Sequence, residues 1–293
     1  MVYLILSILS SSGIFVTFKL IDRQAIPPLH AIIINYVTAF FLGLGLNLRN
    51  AAISFNQSLE WLWASVVIGV LFILMFLVVA RSTQKAGVAV TTIASKMSVV
   101  FPILFSIVLE PGDVLTPLKG AGFLLALIAV LLTSWKNKAE KVTGHIMYLP
   151  LLLFIGMGVV DSMVKYAQFK YVTNELSSIF SSITFLIAAL VGILIFIFRK
   201  EPFKLLIASK TLIYGGMLGI FNFGSIYFII LTLNRAGKLF AMPESSIIFG
   251  LNNLGIVLLS VLVGIIAFRE RISYINLSGI VLSIITIYLL MQV

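Results

Sequence analysis

The chain has no cysteine among its 293 residues, only two histidines, and ten acidic residues against twenty basic ones. Without cysteine there is neither a disulfide framework nor a thiolate metal site. The histidines, His30 and His145, stand at the borders of apolar segments, and no His, Asp and Glu set has ligand spacing, so no metal or other cofactor is expected. A Walker-type glycine loop is also missing, which excludes an ATP-driven pump built on this chain alone. Charge of either sign is scarce, at 10% of residues against 61% hydrophobic. Together with a mean hydropathy of +1.17, this exceeds what a soluble core needs and marks an all-α integral membrane protein whose solvent is the lipid bilayer. The net charge of +10 is scattered through loops and never forms a dense run, so nucleic acid is not an expected partner.

What is present is a series of apolar runs. Ten reach spanning length, at about 2–20, 29–48, 61–80, 87–109, 115–134, 146–168, 176–198, 210–233, 246–268 and 273–291. The first has no basic leader and no small-residue cleavage site, and nine more follow, so it reads as a retained helix with the mature chain starting near Met1. Short loops and the lack of cysteine fit a multi-pass protein of a bacterial cell inner membrane.

One strongly polar linker, residues 135–144 (WKNKAEKVTG), divides the chain into residues 1–134 and 145–293. The halves overlay in three places. Lys19 falls on Lys165, Lys85-Ala86-Gly87 on Arg235-Ala236-Gly237, and Val100–Leu132 on Val257–Leu290, with Glu110 on Glu270. Five spans per half is an odd number, so the second half crosses in the opposite sense. The expected architecture is therefore ten transmembrane helices as two inverted five-helix repeats, with a site at mid-membrane.

Each half closes in the same way. An apolar helix ends in a glutamate (Leu109-Glu110, Arg269-Glu270-Arg271), and a glycine-bearing helix follows through Gly120 and Gly122 or through Gly279. In these features and in its ten-helix layout the chain resembles the EamA-like branch of the drug/metabolite transporter superfamily. The resemblance implies a secondary transporter with a central cavity reached alternately from each side, often an exporter of amino acids or other small metabolites.

The residues carry their own case for a site. In Thr91–Glu110, TTIASKMSVVFPILFSIVLE, Lys96 lies nine residues past Gly87, roughly 14 Å along a helix and near the middle of a hydrocarbon core about 30 Å thick. A lysine there costs roughly 2.5–3.5 kcal/mol, so it is expected to face the protein interior or a wet cavity. The helical wheel puts Thr91, Thr92, Ser95, Lys96, Ser98 and Pro102 in one sector, opposite Val90, Ile93, Met97, Phe101 and Leu104. Pro102 removes a backbone donor and should loosen the turn before it. Asp161 and Lys165, four apart on span six, can meet as an ion pair. Asn252 and Asn253 on span nine serve either as interhelical glue or as ligands. Asn35 and Tyr36 on span two and Asn222 on span eight are further candidates to line a cavity. Trp61, Trp63 and Trp135 read as interfacial belt residues, and Glu110 and Glu270 as solvated loop residues.

The expected substrate-binding set is thus Lys96, Asp161, Lys165, Asn253, Asn252, Ser95, Thr92, Asn222 and Asn35, with no catalytic residues. The expected function is secondary active transport of a small polar metabolite, an amino acid or organic anion, driven by a proton or a counter-substrate. The alternatives are a membrane-embedded enzyme, which would need a convergent acid, base or metal set, and a flippase for lipid-linked substrates. A scaffold would have no use for charges in mid-helix.

Loop charge predicts orientation. Odd-numbered loops hold thirteen basic residues and even-numbered loops six, with Lys96 set aside. The odd loops are then cytoplasmic and both termini outside, although the resemblance implies the reverse. A reporter fused to the C-terminus should give a non-cytoplasmic signal; a cytoplasmic one would show that the charge count misleads.

Overall fold

The computed structural model describes residues 2–47, 60–109, 116–135, 148–171, 177–239 and 245–290. Glu110, linker residues 136–144 and His145 lie outside these. Among the described residues the secondary structure is helical and no strand occurs. A buried chain in lipid must satisfy its backbone within each segment, which is what long helices do. The helices are α1 (Val2–Arg23), α2 (Pro28–Asn47), α3 (Trp61–Lys85), α4 (Val88–Met97), α5 (Val100–Leu109) and α6 (Pro117–Ser134), followed by α7 (Tyr148–Lys170), α8 (Ser177–Phe198), the single turn α9 (Phe203–Leu206), α10 (Ser209–Leu239), α11 (Ser245–Ile266) and α12 (Tyr274–Leu290). Among the described residues eight helical stretches are long and apolar enough to cross a membrane, α4 and α5 counting together, and Leu251–Ile266 and Tyr274–Leu290 are shorter apolar helices.

Two expectations need correction. Arg235-Ala236-Gly237 was expected to form a loop like Lys85-Ala86-Gly87, yet α10 runs unbroken to Leu239. Gly87 does break the chain, with φ at 100°. The contrast arises because glycine permits a positive φ without imposing one. Trp61 is no belt residue either: it is 2% exposed and its ring lies 6.2 Å from that of Phe180. Trp63 and Trp135, at 42% and 49% exposure, do sit outward.

The large helix interfaces run between the two halves of the chain. Helix α1 packs on α10 and α11, α2 on α8 and α10, α3 on α7 and α8, α4 on α7 and α11, and α6 on α12. Small residues set these distances, since lipid supplies no hydrophobic drive between helices and close backbone approach must do the work. A Cβ on Gly122 would fall 2.5 Å from Leu290, and one on Gly279 2.6 Å from the Thr133 amide nitrogen. Likewise a Cβ on Gly43 would strike Ser182, and one on Gly192 would lie 3.0 Å from Ile33. Gly69 sits 3.0 Å from the Thr184 carbonyl by the same measure, beside Ile187, and Gly219 2.6 Å from the Asn35 carbonyl, beside Thr38.

The odd-numbered connections gather at one end of the bundle. Lys19 Nζ donates to Thr83 O at 3.4 Å, the Arg23 guanidinium stacks 4.7 Å over the Phe268 ring, and His30 meets Phe196 edge-on at 5.3 Å. Asn276 Nδ2 lies 2.9 Å from Thr133 O and 2.8 Å from Trp135 O, tying α12 to the last turn of α6. Helices α1 and α8 both end here on a non-glycine residue in the left-handed region, Ala25 (φ 53°) and Lys200 (φ 52°). Each is held by paired reverse bonds, Ala25 N to Asp22 O and Ile26 N to Ile21 O in the first, Lys200 N to Ile197 O and Glu201 N to Phe196 O in the second. A Cβ in that conformation costs about 1–2 kcal/mol, part of which glycine recovers. Ala25 is exposed, so Ala25→Gly should stabilise the protein by up to about 1 kcal/mol, read as a rise in thermal unfolding temperature in detergent.

Candidate functional site

The span from Gly87 to Leu109 is two helices. Pro102 has no N–H to give the Ser98 carbonyl, and that carbonyl instead accepts from Phe101 N at 3.0 Å in a tighter turn. The helix therefore breaks at Ser98-Val99, directly after Lys96, which stands in the last turn of α4, where a cation suits the helix dipole. Lys96 is half-buried and is the charge that acts on Asp161 of α7. The Ser98 hydroxyl lies 3.0 Å from Asp161 Oδ2 and 2.6 Å from Ser95 O, so it joins the broken turn to the carboxylate. A carboxylate and a hydroxyl from two halves of the chain thus meet at a helix break, in the electrostatic field of Lys96.

The sequence paired Asp161 with Lys165. In the structure the interactions of Asp161 run across to α4, with Ser98 and Lys96, while Lys165 is half-buried one turn further along α7. Thr92, one turn before Lys96 on the same face, is fully buried, and its hydroxyl has no hydrogen-bond partner among the described residues. Ser95 is 6% exposed and offers its carbonyl to Ser98. Neighbouring Thr91 is spent on packing, its Oγ1 2.7 Å from Gly87 O and 2.8 Å from Ser82 Oγ.

On α11, which packs along α4, Asn252 is 7% exposed with an unpartnered Oδ1, and Asn253 is half-buried. A buried amide oxygen without a donor costs about 1–3 kcal/mol, so such an atom is a natural place for a water or a ligand. Asn222 and Asn35 meet each other, Asn222 Nδ2 donating to Asn35 Oδ1 at 3.2 Å across α10 and α2. Tyr36, another candidate lining residue, is fully buried among Phe72, Phe76 and Phe185, with ring centroids 5.3–6.5 Å away.

Ser98 was visible as a polar-face residue but was missed as a partner of Asp161, since nothing in its spacing says that the turn before a proline four residues on faces α7. Glu270 was missed for the same kind of reason. It is half-buried, and its carboxylate accepts from Val88 N at 2.6 Å and Ala89 N at 3.3 Å, across 182 and 181 residues of sequence.

No family model matches the chain. A Haemophilus influenzae protein described as uncharacterized is 27% identical over 297 residues, covering 98% of this chain and 96% of its own. A solved structure described only as the crystal structure of a protein superposes with a TM-score of 0.61 at 16% identity, covering 98% of this chain and 94% of that one. That likeness is one of fold. It spans the whole bundle and leaves the chemistry to be argued from the residues.

The Asn35–Asn222 bond generates its own test. In a double-mutant cycle of Asn35→Ala and Asn222→Ala, unfolding free energies should show a favourable coupling of about 1 kcal/mol, within the range for interhelical polar contacts in membranes. Additive effects would mean that the two amides contribute independently.

Proposed function

We propose that the protein is a multi-pass secondary transporter of the bacterial inner membrane, crossing it ten times as two inverted five-helix repeats. The reading takes the chain to resemble the EamA-like drug/metabolite transporters. Its central observation is the cluster of Lys96, Ser98 and Asp161 at a helix break between the halves. An ionisable side chain inside an apolar span is expensive to bury and is most often found where a substrate or ion passes.

The packing supports the repeat. Moving from the first half to the second by 157 residues carries Gly122 to Gly279 and Thr133 to Leu290, so the Gly122–Leu290 and Gly279–Thr133 contacts exchange with each other. A step of 149 residues likewise carries Gly43 to Gly192 and Ile33 to Ser182, exchanging the two close approaches between α2 and α8. It also carries Asn35 to Thr184 and Thr38 to Ile187, the residues met by Gly219 and Gly69. Contacts in which residue i meets j and the mate of j meets the mate of i are the mark of a two-fold axis. With the five passes per half that this reading assigns, the axis would lie in the membrane plane.

Lys96 and Asp161 together suit a dipolar molecule, with a carboxylate at the ammonium and an amino group at the carboxylate. A small zwitterion such as an amino acid fits this better than a simple cation, and Thr92 Oγ1 and Asn252 Oδ1 are further groups without partners for its remaining hydrogen bonds. When the substrate leaves, Lys96 and Asp161 remain as each other's counter-charge, and a proton moving between them and water supplies a route to coupling; exchange against a counter-substrate would use the same pair.

The experiment is a thermal-shift screen of purified protein against amino acids, organic anions and sugars, followed by flux measurements in proteoliposomes. Lys96→Met keeps the length and apolar stem of the side chain. It should leave a folded protein whose ligand-dependent shift is lost and whose flux falls about 100-fold or more, the scale of breaking a buried charge contact. Flux at the native level in Lys96→Met would end this reading.

A further inference from the structure

The first turn of α4 is capped by the other half of the chain. No acidic residue lies in that turn, and Gly87 offers no side chain as an N-cap, so its free N–H groups and the positive end of its dipole need an anion from elsewhere. Glu270, in the connection between α11 and α12, supplies it. Its backbone is fixed first: Arg269 before it takes a left-handed φ of 54°, and Glu270 N donates to Gly264 O at 2.9 Å. Its two carboxylate oxygens then accept from Val88 N and Ala89 N.

Two glycines make the space, one from each half. A Cβ on Gly87 would lie 2.9 Å from Glu270 Cδ, and one on Gly264 2.7 Å from Oε2. The same Gly264 position approaches Ala89 Cβ at 3.8 Å, so α4 and α11 are drawn together here. Helix α4 is only ten residues long, with Glu270 at its first turn and Lys96 in its last, and the break at Ser98-Val99 frees it from α5. It is a short rigid arm with a hinge at one end and a releasable anion at the other.

We infer that Glu270 is a positioning residue that latches α4 against α11 at the odd-loop end of the bundle, closing that end over the Lys96–Asp161 site and opening it when the carboxylate leaves the helix terminus. Charge-assisted bonds to backbone N–H groups are strong enough to hold a helix end and can be replaced by water when the end moves out. The latch rests on the transport reading for its purpose, while its geometry can be tested without any substrate.

Because the chain is cysteine-free, exposed Lys85 and Arg271, which flank the latch, can be replaced by cysteine and spin-labelled with no background. Distances between the labels would be measured by pulsed electron resonance in lipid nanodiscs, in this background and with Glu270→Gln or Gly264→Ala added. Glu270→Gln removes the charge and one acceptor. Gly264→Ala keeps the charge, favours the helix and pushes a methyl group into the space of Oε2, so it decides the matter should the first variant fold poorly. Both should lengthen the distance or populate a longer second one, with the open fraction rising about fivefold or more. Lower thermal stability with an unchanged distance distribution in the folded variants would make Glu270 a structural cap only and overturn the latch. A distribution that shifts as expected in a protein without flux for any solute in the screen would retain the latch and remove the transport reading instead.

Discussion

Close approach between helices is the constraint on which the rest of this structure depends. In water an apolar face is driven together with another by the solvent, but lipid tails are as apolar as leucine and supply no such drive. What remains is shape and hydrogen bonding. Gly69, Gly219, Gly122 and Gly279 each bring a backbone against a neighbouring helix, and the Asn222–Asn35 bond and the Asn276 bonds to the end of α6 add polar fastening at chosen points. Since these contacts join one half of the chain to the other, neither half makes its principal interfaces by itself.

The polar cluster follows from that arrangement. A lysine at membrane mid-depth is costly on an isolated helix, and its burial is tolerable only where another helix brings an anion to it. Asp161 lies within the field of Lys96 because α7 runs beside α4 and α5, and the Ser98 hydroxyl reaches its carboxylate from the turn that Pro102 interrupts. The break is therefore not a defect in the helix. It gives Lys96 a helix C-terminus, gives Asp161 a hydroxyl donor, and leaves α4 short enough to move as a unit, the property on which the proposed latch depends.

Buried polar atoms divide into two sorts by their partners. Thr91 Oγ1, Asn35 Oδ1 and Asn222 Nδ2 are bonded within the protein and contribute to packing. Thr92 Oγ1 and Asn252 Oδ1 have no partner and stand on α4 and α11, two helices that pack together. Desolvation without compensation is unfavourable, so such atoms belong to the part of the molecule that is completed by something else, water or solute.

The sequence by itself determined the helical membrane class, the positions of the long helices to within a few residues, the weak point at Pro102 and the anomaly of Lys96. Each of these is a local property: apolar run length, a missing backbone donor, a charge inside an apolar run. Tertiary structure alone decided which helices touch. It set Asp161 of α7 against Ser98 in the turn between α4 and α5, in the field of Lys96, carried α10 straight through Gly237, buried Trp61, and brought Glu270 onto the first turn of α4. Those outcomes depend on which face of one helix meets which face of another. Side-chain spacing along a chain defines the faces of a helix but contains no information on its partner, and in a bilayer, where most helix faces are apolar, hydropathy cannot choose between them.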